Sequence, residues 1–147
     1  MTKEQIIERL PYQEPFLFVD EIIDVGADGI TGCYTLKTDE YFYKGHFKEY
    51  PITPGVILTE VMAQIGLVCL GVFLFKDQLL DDNILGVAMS STEMDFYKSV
   101  LPGEKVIVVS EKEYFRFNKL KCKVSMYNES EELVAKGMIA GMITNLD

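Results

Sequence analysis

An α+β fold, with one long central helix wrapped by a curved antiparallel sheet of about six strands, is expected from three features of this 147-residue chain. Residues 54–75 are apolar on nearly every side, and a helix of about 22 residues at about 1.5 Å each is a rod roughly 33 Å long that other elements must enclose. Six runs of strand-favouring residues, two before that helix and four after it, supply the material for a sheet to do so. With 48% apolar and 25% charged residues the composition is globular. A chain of this length buries roughly two thirds of the surface it exposes when unfolded, which suits a single domain over residues 1–147.

The elements follow in order. Thr2-Lys3-Glu4-Gln5 fits a capping box, opening a short peripheral helix that Pro11 follows. Residues 16–25 favour strand, Gly26-Ala27-Asp28-Gly29 supplies turn chemistry, and residues 30–36 favour strand again, so a hairpin is expected. Residues 39–53 carry aromatics, Gly45, the only histidine and Pro51, with a period of neither 2 nor 3.6. A loop of that length inside a compact domain is uncommon unless it builds a site. Thr53 is expected as the N-cap of the central helix and Pro54 as its first residue, where a missing N–H costs nothing. Strands are then expected over residues 84–96, 105–117, 120–127 and 133–143. Between them stand Leu101-Pro102-Gly103-Glu104, Asn118-Lys119 and Asn128-Glu129-Ser130-Glu131, read as meander connections.

Several function classes fall away early. The chain has 23 acidic against 14 basic residues, a net charge of −9, which opposes a nucleic-acid backbone, although a local basic patch stays open. Cys33, Cys69 and Cys122 are odd in number and widely spaced, so they read as reduced core thiols of a cytoplasmic protein and not as a disulfide framework. Met1-Thr2-Lys3-Glu4-Gln5 lacks the basic-then-apolar order of a secretory signal. The charge-free stretch 65–75 is short of the about 20 residues that span a bilayer, so no membrane partner is expected. One histidine and three scattered cysteines do not make a zinc site, and no Walker, dinucleotide or G-x-S-x-G motif occurs.

What stands out is Glu60, with Gln64 one turn further along the same helix face. A buried, unpaired carboxylate costs several kcal/mol at least. Glu60 is therefore partnered, protonated or facing a cavity, unless it simply surfaces where the helix leaves the sheet. Gln64 can hold its orientation. His46 alone reads as a structural or loop residue. Its loop, however, leads straight into a helix N-terminus, where the N–H groups of Gly55 and Val56 lack intrahelical partners and can receive negative charge developing on a carbonyl oxygen.

The segments Gly45-His46-Phe47, Pro51-Ile52-Thr53-Pro54-Gly55-Val56 and Glu60-Val61-Met62-Ala63-Gln64 closely resemble the signature of the β-hydroxyacyl-acyl carrier protein dehydratases of fatty-acid synthesis, the FabZ-like branch. In that family a glutamate follows the histidine by fourteen residues, as Glu60 follows His46. Weaker echoes are Leu10-Pro11, Pro15-Phe16-Leu17 and Val19-Asp20, then Phe96 and Pro102-Gly103-Glu104. The resemblance implies a hot-dog fold and a homodimer whose sites combine His46 of one subunit with Glu60 of the other. A trimer of dimers, or a hetero-oligomer with a related dehydratase, is a further possible assembly. The implied reaction is removal of water from a (3R)-3-hydroxyacyl thioester on an acyl carrier protein to give the trans-2-enoyl thioester. His46 would be base and Glu60 acid, with Gly55, Val56 and Gln64 in oxyanion and substrate binding; no metal and no cofactor are needed.

Phe16, Met62, Phe96 and Tyr97 are expected to line the acyl pocket, with plain core packing as the alternative. Lys98, Arg116, Lys119, Lys121 and Lys123 are candidates for docking an acidic carrier protein, or are a solvated hairpin edge. Two positions depart from the family pattern: Lys48-Glu49-Tyr50 stands where proline usually follows G-H-F, and Tyr12 replaces an early histidine. They bear on loop conformation and acyl preference, and leave open a primary fatty-acid or an accessory polyene or polyketide pathway. A hot-dog acyl-thioesterase and a non-catalytic acyl-binding subunit are the competing readings, since a fold alone does not fix an activity.

Overall fold

The capping box forms. In the computed structural model, which describes residues 1–79 and 84–146, Thr2 Oγ1 accepts from Gln5 N at 3.1 Å and Gln5 Oε1 accepts from Thr2 N at 2.8 Å. Together they open helix α1 (Lys3–Glu8), which buries Ile6. Six strands follow: β1 (Glu21–Gly26), β2 (Gly29–Thr35), β3 (Ile84–Phe96), β4 (Lys105–Arg116), β5 (Lys119–Asn128) and β6 (Leu133–Leu146). They form one antiparallel sheet in the order β1-β2-β4-β5-β6-β3.

Three expectations need correction. Residues 16–20, expected as strand, are not: Phe18 N donates to Gln64 Oε1 and Phe16 O accepts from Gln64 Nε2, so the segment is tied to the helix and its backbone reaches β2 only through Asp20 N, at Cys33 O. The connection after β3 is not a meander turn. β3 pairs along its length with β6, from Ile84↔Leu146 to Phe96↔Ala135, and residues 97–104 carry the chain across to β4 beside β2. Leu36 N→Glu104 O and Gly103 N→Leu36 O tie down the end of that crossing. Pro102-Gly103 signals that the chain turns, not which strand it joins next. Finally, Pro54 and not Thr53 is the N-cap of the central helix, since the Thr53 hydroxyl is bonded to Tyr43 Oη.

The central helix α2 (Gly55–Leu74) is long and apolar enough to cross a membrane by length and composition. The charge-free count from Ile65 understated it. It is instead the packed core of this molecule, with Val61, Met62, Ile65, Leu67, Leu70 and Val72 almost wholly enclosed. On β5 every second residue, Leu120, Cys122, Val124 and Met126, faces that core with no exposure. Each such side chain contributes roughly 1.5–3 kcal/mol of burial. The three cysteines are buried and unpaired. Residues Gln64–Cys69 of α2 form a π-helical segment, at whose centre Gly66 O accepts from the buried Ser110 Oγ at 2.8 Å. Gly66 is needed for that approach, because a Cβ there would stand 3.0 Å from Val124 and 3.2 Å from Ser110.

Candidate active site

The loop before α2 is built by nested pairing. A short 3-10 turn, Tyr41–Lys44, precedes Gly45. His46 O accepts from Ile52 N at 2.9 Å, and inside that bridge Phe47 and Tyr50 exchange both backbone bonds, with Glu49 in the left-handed region (φ 57). His46 Nδ1 lies 2.9 Å from Ile52 O. A carbonyl only accepts, so a neutral imidazole making this bond carries its proton on Nδ1 and keeps a lone pair on Nε2. The ring is half-buried and stacks on Phe47, with centroids 4.0 Å apart.

Glu60 is half-buried on α2 and its Oε2 accepts from Gln64 Nε2 at 2.9 Å. Burial pushes its carboxyl above the ordinary range, opposed by that hydrogen bond. Gln64 itself is fully enclosed and uses both ends of its amide, on Glu60, Phe16 O and Phe18 N. One side chain thus fixes the carboxyl and pins the 16–18 segment to the helix. Tyr12 is a further residue within electrostatic reach of Glu60: burial first, then the Glu60 charge, push its phenol up to about 12, so it stays neutral. Its sequence signal is its place where the family pattern has histidine.

At the start of α2, Ile57 N and Leu58 N both bond to Pro54 O, which leaves the N–H groups of Gly55 and Val56 at the open, electropositive end. Val56 is 78% exposed, and the Phe96 ring lies 3.4 Å from where a Cβ on Gly55 would sit. The expected pocket-lining residues divide: Met62 is inside the core, whereas Phe16, Phe96 and Tyr97 are exposed. Of the basic candidates, Lys98 is ion-paired with Glu132 at 2.9 Å and Arg116 lies over Tyr114. Lys119, Lys121 and Lys123 alternate on β5 with its buried residues and so face outward. Among the described residues no three His, Cys, Asp or Glu side chains converge as a metal site would require.

The FabA-like domain matches residues 10–141, a span that takes in the histidine loop, α2 and most of the sheet. The chain belongs to the FabA-like family. Among its FabA-like relatives, the 3-hydroxyacyl-[acyl-carrier-protein] dehydratase FabZ of Petrotoga mobilis is 36% identical over 107 residues, 73% of each chain. The protein of the same name from Streptococcus equi subsp. zooepidemicus is 30% identical over 145 residues, 98% of this chain and 96% of that one. Among solved structures, a chain of the dehydratase heterocomplex ApeI:P from Xenorhabdus doucetiae superposes with a TM-score of 0.80, covering 99% of this chain and 93% of that one at 12% identity. For smu.793 of Streptococcus mutans, bound to acetyl CoA, the score is 0.64 at 11% identity, over 92% and 96%. These structural likenesses carry the fold alone, and it is the hot-dog fold.

Proposed function

We propose that this protein dehydrates (3R)-3-hydroxyacyl thioesters carried on an acyl carrier protein, with His46 as base and Glu60 as acid. The observation that carries this reading is the His46 Nδ1 to Ile52 O bond, which in the neutral imidazole puts the proton on Nδ1 and leaves the Nε2 lone pair to accept one. The named function of the FabZ relatives supports it. In the reaction His46 Nε2 takes the proton from the α-carbon. Negative charge developing on the thioester oxygen is met by Gly55 N–H, helped by Val56 N–H. The electron pair closes the double bond to the β-carbon as its C–O bond breaks, and the departing oxygen takes the proton of neutral Glu60 and leaves as water. Burial raises the carboxyl pKa, the direction that favours the protonated form this step needs. Gln64 orients Glu60, and the exposed Phe16, Phe96 and Tyr97 contact the acyl chain.

The reading includes a homodimer acting in the cytoplasm, each site formed by His46 of one subunit and Glu60 of the partner subunit. Its support is β3, a 13-residue strand at the sheet edge, mostly exposed from Ala88 to Phe96, with the exposed Phe96, Tyr97 and Val56 beside it. A long bare edge is a template for pairing with another copy. The test is to incubate the protein with 3-hydroxyacyl carrier thioesters of several chain lengths and follow mass. Loss of one water with the thioester intact is expected; release of the free acid would make the protein a thioesterase. His46→Ala and Glu60→Gln should each lower turnover at least about 100-fold with folding intact, measured beside circular dichroism and size exclusion. Full turnover in both would take His46 and Glu60 out of the mechanism, and a wild type that holds the acyl thioester without converting it would be an acyl-binding subunit.

A further inference from the structure

We infer that the hydrogen bond between Tyr43 Oη and Thr53 Oγ1, 2.5 Å long and buried, is a positioning device for the His46 imidazole, holding it in its base-competent tautomer. The inference rests on the dehydratase reading and adds two residues to it. Ile52 C=O and Thr53 N–H are the two halves of one peptide unit. The carbonyl receives His46 Nδ1–H, and the N–H donates to Val100 O at 2.9 Å, in the crossing between β3 and β4. The plane of that peptide therefore sets the direction in which the imidazole points. Two tethers fix the plane: the Val100 carbonyl, and the Thr53 side chain held by Tyr43.

Tyr43 closes the arrangement from the other end of the loop. It sits in the Tyr41–Lys44 turn, three residues before His46, and its own N–H bonds to Glu40 O at 3.2 Å. Glu40 is in turn anchored on the buried Tyr34, through Tyr34 Oη to its Oε2. The Tyr43–Thr53 bond thus joins the chain entering the histidine loop to the chain leaving it for Pro54 and the open N–H groups of α2. Base and oxyanion donors are then held at a fixed separation within one subunit. Thr53 stands one residue outside the N-cap, Pro54, so its hydroxyl serves the loop and not the helix. Neither residue meets the substrate in this scheme; both act through His46.

The experiment uses Tyr43→Phe, Thr53→Val, their combination, and Thr53→Ser, which keeps the hydroxyl. The first two should lower kcat roughly ten-fold with KM changed less than about two-fold, because orientation and not binding is lost. The double variant should be no slower than the singles, since each removes the same bond, and Thr53→Ser should recover most of the rate. His46 is the only histidine in the sequence, so imidazole 15N labelling gives one spectrum to read. The wild type should show the proton on Nδ1, and Tyr43→Phe and Thr53→Val a mixture of tautomers. Folded variants that keep wild-type kcat and the single Nδ1–H signature overturn the inference, as does a loss of melting temperature with turnover per folded site unchanged. A wild type that dehydrates no 3-hydroxyacyl thioester would instead remove the dehydratase reading, and the imidazole spectra would still decide the positioning.

Discussion

Glu60 shows how burying one carboxyl costs stability. Burial raises its pKa in the folded chain, so folding favours the protonated form. Its contribution is fully present below the ordinary carboxylate range and is lost as pH rises through the raised folded value. Glu60→Gln keeps the size and a hydrogen-bonding end but cannot ionise. The variant should melt above the wild type at neutral pH, and the gap should shrink in acid, as thermal unfolding over pH 4–8 can check; a gap independent of pH would contradict the assignment. The pairing of Glu60 with Gln64 was legible in the sequence, because two polar residues one turn apart on an apolar helix need a reason. The Tyr12 neighbour was not, since proximity across 48 residues leaves no trace in spacing. The same holds for the Tyr43–Thr53 bond: Thr53 had a local reading as helix cap, and nothing in the spacing pointed to its contact with Tyr43.

The central helix is interrupted by a segment that local pattern did not announce. An apolar run such as Gln64–Cys69 satisfies α and π spacing equally, and what distinguishes them is Ser110, which reaches from β4 to Gly66 O. Ser110→Ala removes this buried hydrogen bond and should cost about 0.5–1.5 kcal/mol of folding free energy, read from urea unfolding. Gly66→Ala should cost about 1–3 kcal/mol by crowding Val124 and Ser110. Strand limits, by contrast, were plain wherever alternation met a turn: β3 begins and ends where expected, and β4, β5 and β6 differ by only a few residues at their ends. Residues 16–20 misled because two of the backbone groups beneath their β-favouring side chains, Phe16 O and Phe18 N, are taken by Gln64. Propensity reports what a residue tolerates, not who supplies its hydrogen bonds.

The assembled protein offers a sharper test of the proposed site than either substitution alone. If His46 and Glu60 meet across a dimer, a mixed dimer of His46→Ala and Glu60→Gln subunits has one dead site with both losses and one intact site. Mixing the two inactive variants with subunit exchange should then restore roughly a quarter of wild-type activity. No recovery despite exchange, followed by mass, would place both groups in one subunit. That α2 would be enclosed by strands was readable from its apolar surface. The position of β3 beyond β6 was not, because strand order is decided by pairing between segments far apart in the chain.

That late pairing bears on how the protein is made. During synthesis β3 leaves the ribosome well before its partner β6, since Phe96 pairs with Ala135 and Ile84 with Leu146. Until then a long apolar-flanked ribbon and the greasy rod beside it wait half-dressed. Closing so wide a loop slows folding and prolongs exposure to aggregation. Chaperone demand and yield on expression should therefore track the integrity of the last strand more closely than that of any other part of the sheet.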